Sequence, residues 1–275
     1  MNQIVIDSNK RALFLNIKEI LDYKELLFML AYRDLKVRYA QTFLGLLWAA
    51  IQPVSTLVIF TIVFSKAARV DTGTVPYPIF ALAGMSAWGY FSFVLSQAGN
   101  SLISSQHMVK KIYFPRLIIP ISKALVGFVD FFVALIFLVI LMLIYQYPPS
   151  LNIVWLPVFF IITVISGLAV GIWMSALTIR YRDFQHILPF LVQFGLYATP
   201  IAYPANLLTG KLPNWALSFY YLNPMAGVVE GFRWSLIGGD ALNTWSYLSF
   251  LIVFFLFVSG LYYFKSVEKV MADIV

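Results

Sequence analysis

The chain contains no cysteine among its 275 residues, which excludes disulfides, thiolate metal sites and cysteine nucleophiles. Charge is nearly as scarce: Lys, Arg, Asp and Glu make up 11% of the residues against 61% hydrophobic, for a mean hydropathy of +0.85. A soluble domain needs far more charge than this to keep its surface wet. Histidine occurs twice, as His107 and His186, both in polar connections between apolar runs, so no histidine pair stands at membrane depth to hold a metal. No G-x-x-x-x-G-K-[ST] phosphate loop, H-E-x-x-H or G-x-S-x-G motif is present. The sequence therefore offers no catalytic residues, no metal site and no ATP-hydrolysing site of its own. The first 22 residues lack the basic, apolar and small-residue pattern of a cleaved leader, and no signal peptide is expected.

What the chain has in abundance is long apolar runs. Six of them, at 43–64, 79–97, 124–145, 155–178, 187–203 and 245–264, approach the roughly 20 helical residues needed to cross a hydrocarbon layer. The expected fold class is an all-α integral membrane protein with six transmembrane helices in a domain spanning 43–264. A cytoplasmic N-terminal segment (1–42) precedes it and a short tail (265–275) follows. The fifth run is short and carries Pro189, Gly195 and Pro200, while the first carries Pro53. Proline frees a backbone carbonyl, which is tolerable only beside protein or a watery cavity, so both runs are expected inside the bundle. Aromatic residues, at 17%, suit a protein with two interfaces to anchor.

The net charge of +7 could mean nucleic acid, but the cations sit in short segments between apolar runs, which points to anionic lipid headgroups. With both termini cytoplasmic, fifteen of the nineteen Lys and Arg residues fall on the inner side. That asymmetry sets the expected orientation, N-terminus in and C-terminus in.

Two stretches are neither spans nor plain loops. Residues 23–41 place Phe28, Tyr32, Leu35 and Tyr39 along one helical face with Arg33, Lys36 and Arg38 elsewhere, the pattern of an interfacial amphipathic helix. Asp22 and Glu25 stand in capping-box positions at its start. Residues 205–240 are apolar and aromatic but broken by Pro213, Pro224 and Gly238-Gly239, and are expected to form two half-inserted outer gate helices within 214–237. A single acid, Asp130, lies within the spans; it could be a coupling site, but a lone buried carboxylate is costly, and the preferred reading pairs it with Lys123, seven residues back. Glu230 and Arg233, three residues apart, are expected to pair within the second gate helix.

Several short motifs recur in a recognisable order: Tyr32-Arg33-Asp34-Leu35-Lys36-Val37-Arg38-Tyr39, then Leu44-Gly45-Leu46-Leu47-Trp48 with Pro53. Phe114-Pro115-Arg116 with Pro120, Arg180-Tyr181-Arg182-Asp183, Thr199-Pro200-Ile201 and Leu222-Asn223-Pro224-Met225 follow. Together they resemble the permease subunit of type-2 ABC exporters for O-antigen, capsule and teichoic-acid polysaccharides, over residues 23–264. The resemblance implies a homodimer in the bacterial inner membrane, working with two copies of a separate cytoplasmic ABC ATPase. That partner would bind ATP and Mg, this chain needing no cofactor. A lipid-linked polysaccharide would be exported through the membrane subunit, with membrane lipids around it and no nucleic acid involved.

A glycan must slide without being held tightly, and aromatic faces suit sugar C–H faces. Trp48, Phe60, Tyr90, Phe91, Tyr197 and Tyr203 are the candidate channel aromatics, each of which an interfacial belt would equally explain. Arg33, Lys36 and Arg38 stand where a lipid diphosphate would meet the inner leaflet, although the positive-inside rule also accounts for them. The polar connection 99–109 is the expected coupling helix for the ATPase, through Asn100, Leu102, Ile103, Ser104, Gln106, His107 and Met108. Two other classes compete: a type-2 exporter of lipids or drugs, and an integral membrane enzyme of lipid or cell-wall metabolism. The enzyme should show clustered acids or histidines at an interface, and none stands out.

Overall fold

The computed structural model describes residues 17–40, 45, 47–209, 211–239, 241–268 and 271. Expectations for residues 1–16, for the start of the first span at 43 and for most of the tail lie outside the described residues. All regular structure among them is helical. Two helices at one end, α1 (Ile17–Asp22) and α2 (Lys24–Tyr39), precede α3 (Leu47–Phe60), which continues as a π-helix over Thr61–Ala67. The central helix α4 (Tyr77–Gly99) is followed by α5 (Ser101–Ser104), α6 (Gln106–Lys111) and the long α7 (Ile118–Ile144). A 3-10 turn at Leu151–Trp155 leads into α8 (Leu156–Arg180). Then come α9 (Phe184–Ala198), α10 (Asn206–Thr209), α11 (Asn214–Tyr221), α12 (Pro224–Ile237) and α13 (Ser246–Glu268).

Five helical stretches among the described residues are long and apolar enough to cross a membrane: Leu47–Ala67, Tyr77–Gly99, Ile118–Ile144, Leu151–Arg180 and Ser246–Glu268. The remaining expected span is α9, which has only 15 residues, or about 22 Å at 1.5 Å per residue. Pro200 is the reason it stops. A residue before proline is pushed out of the helical region, and Thr199 is extended at φ −102, ψ 144. The third span starts at Ile118, earlier than expected, because Pro120 sits in the first turn, where its missing N–H costs no helical bond.

Helix α4 forms the middle of the bundle, packed by α8, α7, α12, α9 and α3, while α13 lies against α8 and α12. Gly167 and Gly171, four residues apart on α8, let α4 approach closely. A methyl at Gly167 would come 2.9 Å from Val94 Cβ, and one at Gly171 the same distance from Ala98 Cβ. In lipid, where apolar faces gain nothing by leaving the solvent, such small-residue contacts supply the packing that joins helices.

The α2 helix starts differently from the expected capping box: Asp22 closes α1 and Tyr23 occupies the N-cap with no side-chain bond. Its Leu30 and Ala31 are buried, and α2 packs on α7, leaving Phe28 and Tyr32 exposed on the opposite side. Leu35 and Tyr39 of the expected apolar face are half-buried, and Lys24, Glu25, Arg33 and Lys36 are exposed beside Phe28 and Tyr32.

Candidate functional site

A cleft of about 420 Å³ opens on α4, walled by α3 and α7 on one side and α9 on the other. Its floor is one face of α4 on which polar residues alternate with apolar ones. Ser86, Gly89, Phe93 and Gln97 follow one another at three- and four-residue steps, with Ser92 and Ser96 beside them. From α3 come Gln52, Pro53 and Thr56, and from α9 Val192 and Leu196. Gly89 is exposed, and a methyl built there meets nothing within 4 Å, so the cleft has spare room at its floor. On α3, Pro53 interrupts the backbone ladder, and hydroxyls turn back onto carbonyls around it: Ser55 donates to Ile51 O at 2.8 Å and Thr56 to Gln52 O at 3.0 Å.

One end of the cleft is ionic. Arg38, in the last turn of α2, pairs with Asp130 of α7 at 2.7 Å and lies 4.4 Å over the Phe93 ring. The Tyr39 hydroxyl donates to the other Asp130 oxygen. Lys123, the expected partner of Asp130, instead pairs with Asp34 of α2 at 2.6 Å. The helix-face argument failed because a second helix supplies a closer partner for each charge, and together the two pairs clamp α2 along α7. Burial raises the Asp34 carboxyl, but hydrogen bonds from Lys123 and Arg33 outweigh it and hold the group below its ordinary 3.8. Burial and the neighbouring Asp130 push the Tyr39 phenol up. Among the described residues, Arg33 pairs with adjacent Asp34, at 2.8 Å, Lys36 is exposed, and Arg38 is the one of the three predicted cations that lines the cleft.

At the far end of the bundle, Arg233 does not pair with Glu230 as expected. Its guanidinium is buried, donates to the carbonyls of Phe80, Pro200 and Ile201, and lies 3.7 Å over the Phe80 ring. Two of those carbonyls belong to the segment beyond the α9 break, where the helix no longer satisfies them. Glu230 accepts instead from Tyr221, at 2.7 Å, and from Ser246. Asn223, the N-cap of α12, donates to Ala198 O at 3.2 Å and to Thr199 Oγ1 at 2.9 Å. The Thr199-Pro200-Ile201 and Leu222-Asn223-Pro224 motifs, far apart in sequence, thus meet at one junction.

The predicted channel aromatics are scattered. Trp48 and Tyr197 are 52% and 63% exposed on α3 and α9, and Tyr203 is half-buried with its hydroxyl 3.3 Å from Tyr197 O. Phe60, Tyr90 and Phe91 are buried. Tyr90 donates to Ala124 O at 3.0 Å and packs among Phe128, Phe131 and Phe160, touching the cleft with one edge. Trp88 and Phe93 line the cleft and were missed, as were Gln52, Thr56 and Gln97. The signal for the polar ones was their periodic placement within apolar runs. The aromatics gave none, because rings are common throughout the chain.

In the predicted coupling segment, α5 and α6 are joined by Ser105. Leu102 is 0% exposed, Val109 is buried, and Ile103, Gln106, Met108 and Asn100 are half-buried. Ser104 and His107 are exposed. The neighbouring Phe114-Pro115-Arg116 motif is tied to the end of α13, where Arg116 N–H donates to Glu268 Oε1 at 3.2 Å.

Comparison with known proteins adds the following. Residues 25–237 match the family described as ABC-2 type transporter. The O-antigen export system permease protein RfbA of Klebsiella pneumoniae is 29% identical over 253 residues, covering 91% of this chain and 95% of the relative. The protein of the same name from Myxococcus xanthus is 26% identical, with 79% and 82% covered. The polysialic acid transport protein KpsM of Escherichia coli is 22% identical, with 87% and 92% covered.

Proposed function

The chain belongs to the ABC-2 type transporter family, and from that premise we propose that it is the membrane-spanning permease subunit of an exporter of lipid-linked polysaccharide of the O-antigen class. The observation that carries this reading is the cleft. Gln52, Thr56, Ser92 and Gln97 line it from helices long and apolar enough to cross a membrane, where polar side chains are kept only if they meet protein, water or a polar cargo. Near-full-length likeness to O-antigen and polysialic acid permeases supports a polysaccharide as that cargo.

The remaining parts follow as proposals. Exposed Gln193 on α9 and Gln52 on α3 stand among apolar neighbours, which supports a second copy of the chain facing these helices across a shared path. Trp48 and Tyr197 would then contribute rings to that path, and Phe60, Tyr90, Phe91 and Tyr203 would shape it from behind. The chain has no nucleotide site of its own in this reading. ATP and Mg bind to a separate ABC ATPase, two copies per homodimer, docking on the α5–α6 segment. The end bearing α2, α5 and α6 faces the cytoplasm of the inner membrane, as its excess of Lys and Arg supports.

A strain deleted for this chain is expected to lose surface polysaccharide while lipid-linked glycan accumulates inside, with restoration by the wild-type chain. Full surface polysaccharide in the deletion strain overturns the assignment. Orientation is tested separately by single cysteines. Asp71→Cys and Lys211→Cys should react with an impermeant thiol reagent from outside, and Asp183→Cys should not; the opposite pattern inverts the chain.

A further inference from the structure

The ion pair at one end of the cleft joins α2 to α7. Arg38 and Asp130 both line the cleft, and neither is sealed off, with side-chain exposures of 35% and 22%. Arg38 presents a planar fork that binds phosphate oxygens as readily as carboxylate oxygens. Asp130 has two partners, Arg38 on one oxygen and the Tyr39 hydroxyl on the other. Phe93, beneath the guanidinium, holds the group in place whichever anion it faces.

We propose that Asp130 is a resident counter-ion that holds Arg38 for exchange with the phosphate headgroup of the transported lipid. On arrival the headgroup takes the guanidinium, and Asp130 falls back on Tyr39. The inference rests on the exporter reading above and assigns the headgroup contact to one residue of the three basic candidates. Three physical consequences follow from the geometry. Without cargo the cleft holds a neutral pair, so no bare charge stands at membrane depth. During exchange the displaced carboxylate keeps the Tyr39 hydrogen bond, which lowers the cost of separating the pair. Once the headgroup is bound, Asp130 remains a nearby negative charge and repels it. Binding is therefore weak enough to be reversed, as a transported group requires.

The test uses the full chain in nanodiscs, with farnesyl diphosphate and inorganic pyrophosphate as probes, and with phosphatidylglycerol present or absent in the bilayer. Asp130→Asn, which keeps the shape and removes the competitor, should bind farnesyl diphosphate about tenfold more tightly than wild type. Export in cells should fall, because release is impaired. Arg38→Gln should abolish that gain when combined with Asp130→Asn. Tyr39→Phe leaves every charge in place and keeps the proposal testable if Asp130→Asn does not fold. It removes the fallback partner and should weaken binding several-fold. A merely structural Asp130 predicts lower affinity and lower export together, and that result overturns the proposal, as does unchanged binding by a folded Tyr39→Phe variant. An equal gain for pyrophosphate supports exchange with the phosphates themselves, and a gain for farnesyl diphosphate alone assigns the lipid-borne headgroup. If phosphatidylglycerol cancels the gain, Arg38 serves bulk lipid and the substrate assignment fails. Wild-type export with no diphosphate binding by any variant removes this inference and leaves the exporter reading standing.

Discussion

A methyl group on Gly84 would fall inside the guanidinium of Arg233. That guanidinium has nowhere to retreat, being buried and committed to three carbonyls on two other segments. Gly84→Ala is therefore expected to cost the fold about 1–3 kcal/mol as an overpacked core substitution. It should appear as a lower melting temperature and looser protection of the 199–203 segment, and an unchanged melting temperature would mean that the junction is not held by Arg233. Asp34 supports a second residue-scale prediction. Its carboxyl is held below 3.8 in the folded chain, so its pairing with Lys123 stabilises the α2–α7 contact above that value and is lost as pH falls through the lower folded one. Hydrogen-exchange protection of α2 should stay level from neutral pH down to about that point and then drop. Asp34→Asn should show weaker protection throughout and no acid step. Neither pairing was legible in the sequence. Asp130 and Lys123 were matched by helical register alone, and the true partners lie some ninety positions away, where spacing carries no information.

Among the elements, α5 and α6 form the segment proposed to dock the ATPase, and their burial decides where that proposal can be tested. The polar segment after α4 was visible from its serines, Gln106 and His107. Which side faces inward was not, because four- and six-residue helices are too short to display a period. Leu102 is wholly buried, in a cluster with Ile119, Ile172 and Phe264. Leu102→Ala should therefore cost about 2–5 kcal/mol and lower the yield of folded protein. The proposed docking surface is therefore probed at exposed Ser104 and His107. We predict that Ser104→Arg with His107→Glu reduces co-purification of the ATPase with the membrane yield unchanged; full co-purification would move the contact elsewhere. Helix existence was legible for the long apolar runs because composition alone separates a span from a loop. The close approach of α8 to α4 was written in Gly167 and Gly171, a small-residue spacing that sequence reading could have used. The end of α9 was readable in part: Pro200 marks a break, but only the structure shows Arg233 and Asn223 arriving to satisfy what the break exposes.

At the scale of the whole molecule, the class of protein was legible from the scarcity of charge and the length of the apolar runs, and the family from motifs that the fold brings into contact. The cleft was not legible as a whole, since only folding brings residues of α2, α3, α7 and α9 together over one face of α4. The helices around α4 are also unequal. Helix α7 has 27 residues and α9 has 15, or about 40 Å and 22 Å of axial rise, against a hydrocarbon thickness of about 30 Å. Both pack on α4, so the subunit carries a long helix on one flank and a short one on another. Where α7 meets lipid, the bilayer thickens or the helix tilts, at a fraction of a kcal/mol per Å. With α9 turned to the shared path proposed above, we predict that a headgroup on that path has a shorter apolar distance to cross than on any other flank of the subunit. Reconstitution in lipids of increasing acyl length should then slow transport progressively, whereas a rate indifferent to bilayer thickness would show that the short α9 does not set the crossing distance.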